Sequence, residues 1–153
     1  MIHVILKLEK SARARLSWIQ SFAASFGIVP KPIYGHITLG EIPSQEMEAC
    51  KAALAGQQAF SVDFEQIDIL PGVPTVAALA VREGVLEEIH AKVWGDQDWT
   101  PCVELLRDPM VNMSWVRTAM REMFQPFTAR VERIEFLDGQ TLVDAVDLKG
   151  DLA

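Results

Sequence analysis

A histidine and a threonine alternate with apolar residues in the stretch "YGHITLGEI", residues 34–42. One residue separates His36 from Thr38, so in a β-strand both side chains lie on the same face. An imidazole can accept or donate a proton near neutral pH, which makes histidine the usual side chain for acid–base chemistry. The pair therefore suggests one half of a catalytic site, whose other half would come from elsewhere in the chain.

The second half of the sequence repeats the first. Residues 60–72, "FSVDFEQIDILPG", and residues 127–139, "FTARVERIEFLDG", have identical residues at five positions, with an offset of 67. Both segments alternate apolar and polar residues, slip by one position and then resume, a pattern that predicts a β-bulge in each strand. Two copies of one structural unit are therefore predicted.

The repeat indicates which residues correspond to the His36 motif. With a shift of one residue in the offset, the segment 35–39 aligns with 101–105, and the apolar positions match. Cys102 then stands where the second copy would have a histidine, and Glu104 stands where it would have a threonine. The second motif is thus degenerate.

Hydrophobic periodicity places the remaining elements in the same order in both copies. Each copy reads as β-α-β-α-β, and a last strand follows the second. We predict strands at 2–8, 36–39, 60–72, 76–81, within 99–106, at 127–139 and at 141–148, and helices at 11–27 (with Ser11 as N-cap), 43–56, 83–95 and 115–124. The prediction is one α+β domain over residues 1–153, with lobes at about 1–72 and 76–148 related by a pseudo-twofold axis.

The motif, the duplication and the proline before the second motif resemble the two-histidine (2H) phosphoesterase superfamily, in particular its 2′-5′ RNA ligase and cyclic phosphodiesterase families. The resemblance covers nearly the whole chain. It implies mainly antiparallel sheets flanked by helices around a central cleft, with one His-x-Thr/Ser motif from each lobe. It also implies that one histidine acts as base and the other as acid on a 2′,3′-cyclic phosphate or 2′-5′ phosphodiester, while the hydroxyls hold the phosphate and no metal or other cofactor is needed.

Carried over residue by residue, the resemblance assigns a catalytic role to His36 and Thr38 alone. A thiol such as Cys102 can donate a proton but brings no positive charge to a phosphate. A carboxylate such as Glu104 would repel a phosphate charge about 5 Å away by roughly 3 kcal/mol at an effective dielectric constant of 20. We therefore expect the reaction of the family to be impaired in this chain.

Other residues are weaker candidates for the site. Tyr34 and Trp99 each precede a motif and could line the mouth of the cleft. His3 lies on a strand face that could look into the cleft. His90, in the charged stretch "EEIHAK", is predicted to be a solvated helix residue.

Composition restricts the function further. The chain has 153 residues, half of them hydrophobic, and a net charge of −7, which argues against a protein that grips long nucleic acid through its phosphates. No apolar run is long enough for a membrane helix, and the first residues do not read as a signal peptide. Cys50 and Cys102 show no Cys-x-x-Cys spacing, so we expect reduced thiols and a cytoplasmic protein.

Three functions stay open on the sequence alone. The first is a divergent phosphoesterase that acts on a small nucleotide-type substrate through His36 and Thr38. The second is an inactive relative that binds a small ligand or a protein partner. The third is a metal site formed by His36, Cys102 and Glu104, since these side-chain types suit zinc.

Overall fold

The computed structural model describes residues 1–21, 36–70, 72, 75–107 and 112–148. Within these residues the chain forms seven strands and four α-helices. The strands are β1 (Ile2–Leu8), β2 (His36–Ile42), β3 (Phe60–Ile69), β4 (Thr75–Ala80), β5 (Cys102–Arg107), β6 (Phe127–Asp138) and β7 (Thr141–Asp147). The helices are α1 (Lys10–Ser21), α2 (Met47–Leu54), α3 (Gly84–Trp94) and α4 (Met113–Met123), and a short 3₁₀ turn, Ser44–Glu46, precedes α2.

All seven strands belong to one antiparallel sheet. Their order is β2-β1-β6-β3-β4-β5, and β7 pairs with β6 beside this path. The β-α-β-α-β order predicted for each copy is therefore confirmed, and the two copies share a continuous sheet in an α+β fold. The last predicted strand, β7, pairs with the second half of β6, on the edge opposite β1.

The two long strands of the repeat pair with each other at the centre of the sheet. Val62 of β3 lies opposite Ala129 of β6, which is the residue 67 positions later in the sequence. A residue can face its own repeat equivalent only on an axis that exchanges the two copies. An approximate twofold axis therefore passes through this pair.

The predicted bulges occur in both long strands at equivalent positions. In β3 the pairing with β4 shifts between Phe64 and Gln66, which leaves Glu65 outside the ladder. In β6 the pairing with β1 passes from Val131 to Arg133, which leaves Glu132 outside. Each strand keeps its apolar side chains on the core face on both sides of its bulge, because the extra residue compensates for the slip in the sequence pattern.

The core lies on the face of the sheet that the helices cover. The largest side chains with almost no exposed surface are Leu6, Leu8, Leu16, Ile19, Ile37, Leu39, Leu54, Phe64, Ile67, Ile89, Leu105 and Phe136. Those that lie in strands alternate with residues of the opposite face. That opposite face carries His36 and Thr38.

Helix α1 begins one residue before the predicted cap. Ser11 lies inside the helix, so its prediction as N-cap is wrong. The start is set by tertiary contacts of Glu9, whose backbone N–H donates to the Arg130 carbonyl at 2.9 Å and whose Oε1 accepts from the Arg130 N–H at 3.2 Å. Residues 22–27 of the predicted helix lie outside the described residues.

None of the helices in the described residues is both long and apolar enough to span a membrane.

Candidate active site

The strand register places the two motifs at equivalent positions of the sheet. Lys7 of β1 lies opposite His36 of β2, and Leu79 of β4 lies opposite Cys102 of β5. In both pairs of strands the ladder then shifts by one residue within the motif strand. The equivalent residues of the two outer strands are His36 and Cys102, Thr38 and Glu104, Leu39 and Leu105, and Glu41 and Arg107. The alignment made from the sequence repeat therefore agrees with the three-dimensional pairing.

The two motif strands lie next to each other although they are at opposite ends of the strand order. The indole Nε1 of Trp99, just before β5, donates to the Thr38 carbonyl of β2 at 3.0 Å. The amide of Gln20, in α1, donates to the Leu105 carbonyl of β5 at 2.9 Å. The sheet thus curves until side chains of each half bind the outer strand of the other half.

A cavity of about 440 Å³ lies on the face that carries His36. His36 and Thr38 line it together with His3, and Cys102 and Glu104 are not among its lining residues. Its other charged lining residues are Lys7, Arg13 and Glu135. The intact motif therefore opens into a cavity with two permanent positive charges and one carboxylate.

The imidazole of His36 is unprotonated at neutral pH. Burial lowers the pKa of its imidazole below the ordinary value near 6.5, and His3 acts in the same direction. The carboxylates of Glu104 and Glu135 oppose this shift. Because the net direction is downward, His36 is neutral at pH 7 and can act as a base.

Cys102 cannot replace a charged imidazole. Burial, together with the neighbouring charge of Glu104, raises the pKa of the Cys102 thiol to about 11. The thiol is therefore protonated and neutral at pH 7, and it is a far weaker acid than an imidazolium, whose ordinary pKa is near 6.5. The second motif therefore lacks the positive charge of a second histidine and offers only a weaker acid in its place.

The charge of Glu104 is balanced by an arginine that the sequence reasoning missed. Nη2 of Arg107 lies 2.8 Å from Oε1 of Glu104, and Nε of Arg107 donates to the Thr75 hydroxyl at 3.0 Å. This pair offsets the repulsion expected between Glu104 and a bound phosphate. In the sequence, the only sign of this pair is that Arg107 follows Glu104 by three residues. In a regular strand this spacing would put them on opposite faces, but the bulge in β5 brings both to the same face.

Solved structures show the same architecture. E. coli LigT without ligand is 14% identical in sequence, with a TM-score of 0.66 over 97% of this chain and 96% of the other. E. coli LigT with 3′-AMP is 15% identical, with a TM-score of 0.63 over 97% of each chain. A protein described as a phosphoesterase is 14% identical, with a TM-score of 0.59 over 97% of each chain.

The chain has the LigT fold. This confirms the fold implied by the resemblance to the 2H phosphoesterases. No family profile and no curated protein matches the sequence.

In this LigT fold, a stack of three rings holds the His36 strand against the second half. The imidazole of His90 stacks on Trp99 at 4.2 Å between ring centroids and on Trp94 at 5.5 Å. The indole Nε1 of Trp94 donates to the Glu41 carbonyl of β2 at 3.2 Å. A side chain at Gly40 would bring its Cβ within 2.6 Å of the Trp94 ring, so only glycine allows this approach.

The structure places two further residues that the sequence singled out. His90 is only 2% exposed, so the prediction of a solvated helix residue is wrong, because the indoles of Trp94 and Trp99 stack against its ring. Trp99 packs in the stack and does not line the cavity, whereas His3 does. Tyr34 lies outside the described residues.

The pH dependence of stability tests the buried state of His90. Burial lowers the pKa of His90, Glu87 opposes the shift, and Arg82 adds to it. The unfolded chain therefore binds a proton near pH 6.5 before the folded chain does, and stability falls as the pH drops from 7 through this value. The loss is at most about 1.4 kcal/mol per pH unit for each such histidine.

A His90→Phe variant, which can still stack between the indoles, should show a smaller loss of stability than the unaltered chain. Urea unfolding at pH 7.5, 6.5 and 5.5 measures the difference. An equally steep loss in both proteins would show that His90 titrates normally in the folded state.

The metal alternative gains no support from the geometry. Among the described residues, which include His36, Cys102 and Glu104, no three histidine, cysteine, aspartate or glutamate side chains converge closely enough to hold a metal ion. Glu104 instead pairs with Arg107.

Proposed function

We propose that this protein is a divergent 2H phosphoesterase of the 2′-5′ RNA ligase family that binds a small nucleotide-type phosphoester in the His36 cavity. The observation that carries the proposal is the joint placement of His36, Thr38, Lys7 and Arg13 around one cavity. Two cations and a hydroxyl can bind the phosphate of a phosphoester, and a neutral base beside them can remove a proton.

The charges of the cavity support a phosphate ligand in an otherwise acidic chain. The protein carries −7 overall, yet Lys7 and Arg13 face the cavity against the single carboxylate of Glu135. That carboxylate lies 3.5 Å from Nε of Arg133, which compensates part of its charge. Arg13 uses Nε to bind the Leu8 carbonyl at 3.1 Å, and its other N–H groups can bind an oxyanion.

The size of the cavity and the structural neighbours support the nucleotide class. A cavity of about 440 Å³ falls within the range of roughly 300–1,000 Å³ typical of small-molecule sites. E. coli LigT has been solved with 3′-AMP and with phosphate. We therefore choose 3′-AMP as the first probe.

Hydrolysis of a 2′,3′-cyclic phosphate is the second part of the proposal. Neutral His36 can take a proton from an attacking water, whose oxygen forms a bond to phosphorus while the bond from phosphorus to one ribose oxygen breaks. Without a strong acid in the site, that ribose oxygen takes its proton from solvent water. Losing one partner of an acid–base pair typically costs about 10²–10⁴ in rate. Binding is therefore the main function proposed, and turnover is slow.

Affinity for 3′-AMP tests the proposal. Lys7→Gln should weaken binding about 10- to 100-fold, because it removes a charge-assisted contact worth roughly 1.5–3 kcal/mol. Lys92→Gln removes the same charge from an exposed site on α3, outside the cavity, and should leave the affinity unchanged.

Isothermal titration calorimetry at fixed low salt measures both variants. If both substitutions weaken binding equally, the ligand senses only the net charge of the protein. Absence of binding in the unaltered chain would remove the proposal for this ligand class.

A further inference from the structure

The cavity changes in chemical character along β1. Three residues of β1 line it, namely Lys7, Ile5 and His3. At the Lys7 end lies His36, its partner across the ladder, together with Arg13. From Lys7 to His3 the strand advances four residues, or about 13 Å. The basic end and the His3 end of the cavity are therefore about 13 Å apart.

The far end of the cavity is formed by the hairpin between β6 and β7. Leu137 of β6 lies opposite His3, and Leu142 of β7 lies opposite Leu137. All three residues line the cavity, as does Gln140 in the turn between the strands. This end combines two apolar side chains with an amide that can both donate and accept hydrogen bonds.

Leu142 is exposed in a way that a ligand would explain. It is 47% exposed although it faces a cavity, and its side chain forms part of the wall at the end remote from Lys7. A planar heterocycle lying against Leu137 and Leu142 would cover this apolar surface. The amide of Gln140 would then be free to bind the polar edge of the ring.

We infer that the β6–β7 hairpin end of the cavity is a subsite for the nucleobase, with the phosphate at the Lys7–Arg13–His36 end. The inference rests on the proposed function and adds the orientation of the ligand and its specificity-determining residue, Leu142. A ligand without a base gains nothing from this subsite.

The experiment compares two probes on the same variants. NMR titration yields dissociation constants for 3′-AMP and for ribose 5-phosphate, which has no base. Leu142→Ser should weaken binding of 3′-AMP about tenfold by removing apolar contact, and should leave ribose 5-phosphate unchanged. Leu142→Phe keeps an apolar wall and should retain the affinity for 3′-AMP.

The neighbouring Val143 provides the matched control. It is 45% exposed and does not line the cavity, so Val143→Ser should change neither constant. If Leu142→Ser weakens both probes equally, or weakens neither, the subsite is overturned while the proposed function stands. If the unaltered chain binds neither probe, the proposed function itself fails.

Discussion

A variant that carries both Cys102→His and Glu104→Thr should hydrolyse 2′,3′-cyclic nucleotides about 10²–10⁴ times faster than the unaltered chain. The strand register makes Cys102 the equivalent of His36 and Glu104 the equivalent of Thr38. The two substitutions therefore place a second His-x-Thr motif at the pseudo-symmetric position. A histidine there can supply the positive charge and the proton that a thiol with a pKa of about 11 does not.

Both substitutions are needed for the full effect. The single substitution Cys102→His would leave the Glu104 carboxylate beside the new imidazole. The carboxylate would hold that imidazole in an ion pair, as it now holds Arg107 at 2.8 Å. The rate is measured by chromatographic separation of the cyclic substrate from its nucleotide product. His36→Ala in the same background should abolish the gain, because the new histidine then has no base as its partner. A folded double variant with no gain would show that the two motifs do not act on one phosphate.

The largest expected loss of stability follows from Phe64→Ala, at about 3–5 kcal/mol. Phe64 is fully buried and lies beside the bulge of β3, where that strand leaves β6 and continues along β4 alone. Its ring stacks on Phe127 of β6 at 5.2 Å between centroids. Its removal leaves a cavity at the junction of the two halves.

The half-buried Phe127 provides the control for this prediction. Phe127→Ala removes the same stack from a more exposed position, so it should cost clearly less than Phe64→Ala. Urea unfolding followed by tryptophan fluorescence measures both changes. An equal or larger loss in Phe127→Ala would mean that the stack, and not burial at the junction, dominates the stability of this region.

The duplication is the feature of the fold that could best be predicted from the sequence. The phase slips around Glu65 and Glu132 appear directly in the alternation of apolar residues, and each is a bulge in the sheet. The prediction of Ser11 as N-cap was wrong because the local capping preference of serine was outweighed by the hydrogen bonds between Glu9 and Arg130. The assignment of residues 1–153 to a single domain stays a prediction.

Of the candidate site, only the two motifs could be predicted from the sequence. His36 and Thr38 could be placed on one face from their spacing, and the repeat assigned Cys102 and Glu104 as their counterparts. The ion pair between Arg107 and Glu104 and the burial of His90 depend on contacts between elements that are distant in sequence, which periodicity does not report. The catalytic roles of His36 and Thr38 remain proposals.

The most direct test of the central claim uses the three histidines of the chain. His36 and His3 line the cavity, whereas His90 lies buried between two indoles outside it. We expect the NMR signals of the His36 and His3 imidazoles to shift as 3′-AMP is added, and the His90 signal to stay in place. Assignment by single His→Gln variants makes the three signals distinct. Unchanged His36 and His3 signals at millimolar 3′-AMP would contradict the account.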